Sequence, residues 1–274
     1  MPHHSVQTGR GEWSRSRYWL CHFLYSRHER TRINWSTPLQ PQQVHATAST
    51  LKGMLERLIR PQAGMTDTIN TAQDRCAQDP AFVQTLRLLD RERQFHRDLL
   101  LKLARRHDAS AALPVVSQVR KEMTASLLGI RYFLASLLLD DVLDLTLLER
   151  FSQHWQDEPA KQACSQLMRD KANHAAYLRE RLTMEYAEFN VFRRTLRRMR
   201  LRSLFAIHLR RLLKADGATL QAMGVSRLAF ARLAWRRFEV VLEMMVPYRR
   251  DRLMSALMSQ HEKPYERAEH LPMA

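Results

Sequence analysis

The chain has 274 residues, 45% of them hydrophobic, which is enough to bury the core of one substantial domain. Only seven residues are glycine, helix-favouring residues are abundant, and no series of alternating β-branched strands occurs, so the composition predicts an all-α fold. The formal net charge of +16 is concentrated in residues 191–255, where 16 basic residues stand against four acidic ones.

The cysteines and the apolar segments argue against several classes of protein. Cys21, Cys76 and Cys164 are widely spaced and form no CxxC pair, which fits a reducing compartment better than a disulfide framework. The most apolar window, residues 123–139, is 17 residues long and contains Arg131, whereas a spanning helix needs about 20 apolar residues. We therefore expect a cytoplasmic protein without a secretory signal.

The N-terminal residues 1–43 differ from the rest of the chain. They hold three of the five tryptophans and several arginines, show no sustained apolar period, and end near Pro38 and Pro41. We expect a disordered basic tail or linker. Two alternatives are a functional basic arm, and an upstream extension of a chain that starts at Met54 or Met65.

Helical patterns begin near residue 44, and a domain over residues 44–190 is predicted. Apolar residues recur at three- and four-residue steps, and Asp79 followed by Pro80 is a typical helix start. Four long helices joined by short links indicate a four-helix bundle. The predicted helices cover 44–59 (ended by Pro61), 79–107, about 115–155, and 157–189.

The C-terminal region, residues 191–274, is predicted to form basic amphipathic helices that pack on the bundle. The first begins at 191 and is expected to end at Asp216 and Gly217. The second is expected to begin at Ser226 and to end at Pro247.

Two of the predicted bundle helices carry the same local signature, at an offset of 78 residues. Both "RERQFHRDLL" (91–100) and "RDKANHAAYL" (169–178) contain an acidic residue, a basic residue and, three positions later, a histidine. Residues three or four apart share a helix face, so each set can point at one site. The matched pairs are Glu92 with Asp170, Arg93 with Lys171, and His96 with His174.

These two segments resemble the ligand helices of ferritin-like di-iron oxygenases and hydroxylases. "LLDRERQFHRDLLLKL" resembles the first ligand helix and "LMRDKANHAAYLRERL" the second, and the resemblance covers about residues 44–185. It implies a ferritin-like bundle in which two helices supply Glu-x-x-His and two others add a carboxylate each. His96 and His174 fall on the histidine ligands, whereas Arg93 and Lys171 fall on the glutamate ligands.

In one interpretation the ligand set has shifted by one residue. Glu92 with His96, and Asp170 with His174, are each four residues apart and about 40° apart around a helix, so either pair can chelate iron or manganese. The chain would then be a metal-dependent oxygenase or related oxidoreductase with a small-molecule substrate. The further carboxylates would come from Asp140, Asp141 or Asp144 on the third helix, and less directly from Glu56 on the first.

In a second interpretation the site is degenerate and free of metal. Arg93 and Lys171 would then occupy the former metal volume and pair with Asp140 or Asp141 in a buried ion network, because unpaired buried charge is costly. A third interpretation is an unrelated helical bundle in which the acid–histidine spacing arises by chance.

The basic C-terminal helices have three candidate roles. Their charged faces can be solvated, can attach the chain peripherally to an anionic membrane surface, or can bind nucleic acid. The sequence therefore leaves two functions open. One is a divergent oxidoreductase. The other is a non-catalytic scaffold or adaptor, which can also form a homodimer.

Overall fold

The computed structural model describes residues 6–30, 32–38, 62–76, 78–107, 129–155 and 157–247. All regular structure in these ranges is helical, which confirms the all-α prediction. No helix in these ranges combines the length and the apolar character needed to cross a bilayer. The helices are α1 (Val6–His28), α2 (Gln62–Arg75), α3 (Pro80–Arg106), α4 (Ile130–His154), α5 (Glu158–Tyr186), α6 (Val191–Ala222) and α7 (Arg227–Met245).

Side-chain caps fix the starts of three helices where the sequence predicts them. The carboxylate of Asp79 accepts a hydrogen bond from the third residue of α3, and Pro80 is the first residue of that helix. Asp157 and Ser226 cap α5 and α7 in the same way. Each cap satisfies a backbone N–H group that has no partner within the helix, which fixes the register of the helix that follows.

The predicted end of α6 is wrong, because the helix continues through Asp216 and Gly217. A Cβ atom at position 217 would collide with the guanidinium of Arg227, so this glycine permits a close contact between α6 and α7. The turn between the two helices falls instead at Gly224, whose φ of 69° is a left-handed conformation that favours glycine.

Parts of the predicted bundle lie outside the described residues. These are the helix expected over 44–59, with Glu56, and the beginning of the third helix before Gly129. Helix α2 lies just after Pro61, where no helix is predicted, and buries Met65 and Ala72.

Helix α1 lies in the segment for which a disordered tail is predicted. Trp19 and Phe23 are buried, and Phe23 is 0% exposed. The indole N–H of Trp19 donates to Glu180, and the hydroxyl of Ser16 donates to the Asp79 carboxylate at 2.7 Å. These two aromatic residues are four apart and therefore share a helix face, so a short apolar contact holds α1 on the bundle.

The other helices form one continuous core. Helices α4 and α5 are joined by three residues and pack against each other as an antiparallel pair, while α3 contacts both α1 and α5. Helices α6 and α7 pack on α4 and share a stack of Phe205 on Phe238, with ring centroids 4.2 Å apart. Their buried side chains belong to the same apolar cluster as those of α3, α4 and α5.

Candidate functional site

A group of buried and partly buried ionisable side chains lies between α3, α4 and α5, and we call it the central cluster. Within α3, residues 92, 93 and 96 span an arc of about 100°, and residues 170, 171 and 174 do the same within α5. The repeated signature therefore turns both sets toward the same volume. The cluster consists of Glu92, Arg93 and His96 on α3, Asp141 and Asp144 on α4, Asp170, Lys171 and His174 on α5, and Arg30 after α1.

The two signatures are joined crosswise. His96 Nε2 lies 2.9 Å from Asp170 Oδ2, and His174 Nε2 lies 2.6 Å from Glu92 Oε2. Each histidine thus bonds the acid of the other helix. The two imidazole rings are stacked with centroids 5.5 Å apart. The sequence repeat corresponds to a local two-fold pattern of contacts between α3 and α5.

Arg30 contacts both acids of the two histidine–acid pairs. One of its terminal nitrogens, Nη2, lies 3.1 Å from Glu92 Oε1 and 3.0 Å from Asp170 Oδ2. Its guanidinium also lies over the ring of Phe95, 4.1 Å from the centroid. A cation that follows α1 thus bridges the two acids that the shifted-ligand interpretation assigns to a metal.

Arg93 and Lys171, the two basic residues at the glutamate positions of the family pattern, point into the centre. Both bind Asp141: Lys171 Nζ lies 2.9 Å from Oδ1, and Arg93 Nη2 lies 3.2 Å from each carboxylate oxygen. Lys171 also lies 2.7 Å from Asp144 Oδ2. The side chain of Lys171 is 1% exposed and that of Asp141 is 0% exposed. This is the contact that the degenerate-site interpretation predicts for Asp141.

Charge pairing determines the protonation of Asp141 and Lys171. Burial alone would raise the pKa of Asp141, but Lys171 and Arg93 outweigh burial and lower that pKa to about 2. Burial likewise opposes the charge of Lys171, and the carboxylates of Asp141 and Asp144 outweigh it, so the pKa of Lys171 lies above its ordinary value. Asp141 and Lys171 are therefore both charged at neutral pH.

Burial outweighs pairing at His96 but not at its partner Asp170. Burial lowers the pKa of His96 to about 4, although its hydrogen bond to Asp170 acts in the opposite direction. The pKa of Asp170 is lowered, because the hydrogen bond with His96 and the charge of Arg30 together outweigh burial. At neutral pH a neutral His96 thus donates from Nε2 to an ionised Asp170.

The donor set of the central cluster does not fit a metal as it stands. All six carboxylate oxygens of Glu92, Asp141 and Asp170 already lie within 3.2 Å of a side-chain nitrogen. The Nδ1 atoms of both histidines are buried and have no hydrogen-bond partner, whereas a metal-binding histidine nearly always donates its second ring N–H. Within the described ranges, no group of three or more potential ligand side chains is arranged to hold a metal ion.

Asp140 is a predicted site residue that lies outside the cluster. Its Oδ1 atom is 2.6 Å from His208 Nδ1, and the opposite ring nitrogen of His208 is 3.3 Å from the hydroxyl of Ser136. Asp140 and Asp141 are consecutive on a helix and point about 100° apart, so only one of them can face the centre. The serine, histidine and carboxylate resemble a hydrolase triad, but Ser136 lies inside α4, where backbone N–H groups bond within the helix. We therefore assign this contact to the packing of α4 against α6.

Sequence reasoning missed two members of the network. Arg30 follows a segment without apolar periodicity, and only the spacing of Trp19 and Phe23 indicates that this segment packs on the bundle. Gln166 donates to Asp170 Oδ1 at 2.8 Å and lies four residues before it on α5. This spacing places both side chains on one helix face, so it could have predicted the contact.

No protein-family model, no curated protein and no solved structure matches this chain.

Proposed function

We propose that this chain is a non-catalytic helical adaptor that resembles a ferritin-like bundle, with cations of its own in place of a metal. The main observation that supports this proposal is that Arg30, Arg93 and Lys171 each lie within 3.2 Å of an acid of the central cluster. In this proposal the protein works through its arginine-rich surface, and the buried network only holds the helices together.

The charge balance supports this proposal. The central cluster contains four carboxylates, those of Glu92, Asp141, Asp144 and Asp170, and three permanent cations. Counting histidine as uncharged, as in the formal net charge of the chain, the cluster carries −1. A bound divalent ion is therefore not needed to offset a large negative charge, as it is in a site built from carboxylates and histidines alone.

The competing function is a metal-dependent oxygenase that uses Glu92, His96, Asp170 and His174. The convergence of these four side chains supports it. Metal binding at this site would require Arg30 to leave two carboxylates whose charge it partly neutralises. The two functions therefore differ in a measurable quantity, the iron or manganese held per chain.

The test compares the wild-type protein with R93E/K171E, which places a carboxylate at both glutamate positions of the family pattern. Each protein is loaded anaerobically with Fe²⁺ and, separately, with Mn²⁺, desalted, and analysed for metal. We expect the wild type to retain no stoichiometric metal and R93E/K171E to gain metal binding, because the cations that occupy the site have been replaced by ligands.

The matched control is R91E/R169E. Arg91 and Arg169 precede the two acids in the same repeated signature, and both are exposed, so this variant makes the same charge change outside the cluster. It should retain no metal. Stoichiometric iron or manganese in the wild-type protein overturns the proposal, whether or not R93E/K171E folds.

A further inference from the structure

The solvent-facing side of α6 carries an apolar stripe. Large apolar residues recur there at three- and four-residue steps, with a serine among them, so they lie in a line along the helix. Phe192 is 76% exposed, Met199 is 60% exposed and Ile207 is 49% exposed. Single exposed apolar residues are ordinary, but a line of them indicates a contact surface. The stripe consists of Phe192, Leu196, Met199, Ser203 and Ile207.

Basic residues flank this stripe, and five of them point outward. Helix α6 has nine basic residues and one acidic residue, Asp216, which is buried. Arg194 and Arg198 turn inward and donate to backbone carbonyl oxygens. The outward basic residues make no ion pair with any other described residue. These outward residues are Arg193, Arg200, Arg210, Arg211 and Lys214.

A groove adjoins the stripe. Leu196, Met199 and Ile207 also line a groove of about 1120 Å³, together with Ile130 and Tyr132 at the start of α4. The groove is mixed in character, because Arg131, Arg181, Glu185 and Glu188 also line it. The stripe itself is the continuous apolar surface, and basic side chains border it. We call the stripe and its outward basic residues the α6 outer face.

From this arrangement we infer that the α6 outer face docks on an anionic phospholipid bilayer. The inference rests on the proposed adaptor function and names its partner. Lipid phosphates and anionic headgroups complement the arginines, while the interfacial hydrocarbon receives the stripe side chains. The helix would lie in the plane of the interface.

The same observations argue against nucleic acid and against a second copy of the chain as the partner of the α6 outer face. Nucleic acid complements the arginines but offers no hydrocarbon phase to methionine, leucine and isoleucine side chains. A second copy docking through the same face would place arginine against arginine, since a two-fold interface is self-complementary only where its charges are mixed.

The test is co-sedimentation with vesicles of phosphatidylcholine, with and without phosphatidylglycerol, at about 0.1 M and about 0.5 M NaCl. Binding to a labelled DNA duplex is measured in the same buffers. We expect the wild type to prefer phosphatidylglycerol vesicles by about tenfold or more, and to lose most of this binding at the higher salt concentration.

Two variants separate the two parts of the α6 outer face. F192S/M199S keeps every charge and should weaken vesicle binding about tenfold or more, with DNA binding unchanged, because it removes only the inserted apolar groups. R200Q/R211Q keeps the stripe and should weaken vesicle binding roughly thirtyfold, since two interfacial charges are lost.

Matched controls carry similar changes elsewhere on the surface. L24S removes an exposed apolar residue from α1, and R91Q/K102Q removes two exposed charges from α3. Both should bind vesicles as the wild type does. Far-UV circular dichroism and the urea midpoint must be unchanged in every variant that is compared.

Several outcomes would overturn the inference. Equal binding to neutral and anionic vesicles, or full binding by F192S/M199S, excludes docking through the α6 outer face. Tight DNA binding without vesicle binding assigns the face to nucleic acid instead. Dimers that dissociate in F192S/M199S assign it to a second copy. None of these outcomes alters the metal content, so they are distinguishable from failure of the metal-free scaffold.

Discussion

Arginine and lysine occupy two opposite environments in this protein. In the central cluster, Arg93 and Lys171 are buried, and both carboxylate oxygens of Asp141 lie within 3.2 Å of their nitrogens. On the α6 outer face, Arg200 and Arg211 are exposed and have no acidic partner among the described residues. The buried cations of the central cluster are offset by its carboxylates, so the net charge of +16 arises from residues outside the cluster.

The two regions also differ in what a single substitution should cost. A buried charge that loses its partner remains in a medium of low dielectric constant, whereas an exposed charge is solvated. The comparison therefore predicts large losses of stability at the centre and small ones at the outer face of α6.

The largest effect is expected for D141A. This change leaves Arg93 and Lys171 buried together with one carboxylate fewer, and should lower the free energy of unfolding by about 3–5 kcal/mol. Urea denaturation at neutral pH measures the loss. D98A removes an exposed aspartate of α3 whose partner, Arg97, lies 3.5 Å away, and should cost less than about 1 kcal/mol. Equal losses in the two variants would contradict a charge-paired centre.

Acid should destabilise the fold through His96. Its pKa in the folded state is about 4, below the ordinary value of 6.5, so the unfolded chain binds more protons and stability falls as the pH decreases between these values. The expected loss is about 3 kcal/mol from pH 6.5 to pH 4. Asp141, with a folded-state pKa of about 2, adds a further loss below about pH 4.

The variant H96Q checks this assignment. It should lose most of the pH dependence between 6.5 and 4, measured by urea denaturation at a series of pH values. His107, whose pKa burial also lowers, contributes to the remainder. An unchanged pH dependence in H96Q would show that His96 is not buried in its neutral form.

An intermediate loss in the free energy of unfolding is expected for R30A. The change takes the bridging guanidinium from Glu92 and Asp170, and should cost about 2 kcal/mol, because a charge-assisted hydrogen bond to Asp170 and an ion pair with Glu92 are lost. R32A alters an exposed arginine two residues away and should cost less than about 0.5 kcal/mol. A full-stability R30A protein would mean that Arg30 does not close the cluster in solution.

The smallest effect on stability is expected for R200Q/R211Q. Both side chains are exposed and make no ion pair with another described residue. The free energy of unfolding, measured by urea denaturation, should therefore change by less than about 0.5 kcal/mol. A loss comparable to that of R30A would show that the outer face of α6 is structural, and would remove the contrast between the two regions.

The sequence predicts the centre of the site because identical spacings on two helices place Glu92, His96, Asp170 and His174 on matching faces. It cannot distinguish Asp140 from Asp141, because α4 is apolar around most of its surface and its rotation is set by packing. Arg30 is missed for another reason. It acts from a segment without apolar periodicity, and its role depends on a contact between residues far apart in the chain.

The same limits apply to the fold. Caps at Asp79, Asp157 and Ser226 are local and are read correctly from single residues. The end of α6 is not local, because the helix continues past Gly217, where it lies against the side chain of Arg227 of the next helix. The ferritin-like arrangement of four helices stays a prediction.

The most direct test of the central claim is anomalous diffraction from crystals soaked with Mn²⁺. The claim predicts no anomalous peak among Glu92, Asp141 and Asp170, with Lys171 Nζ bound to Asp141 and Arg30 bridging the other two acids. A peak bonded to Glu92, His96, Asp170 and His174, with Arg30 displaced, would contradict it and would establish a metal centre.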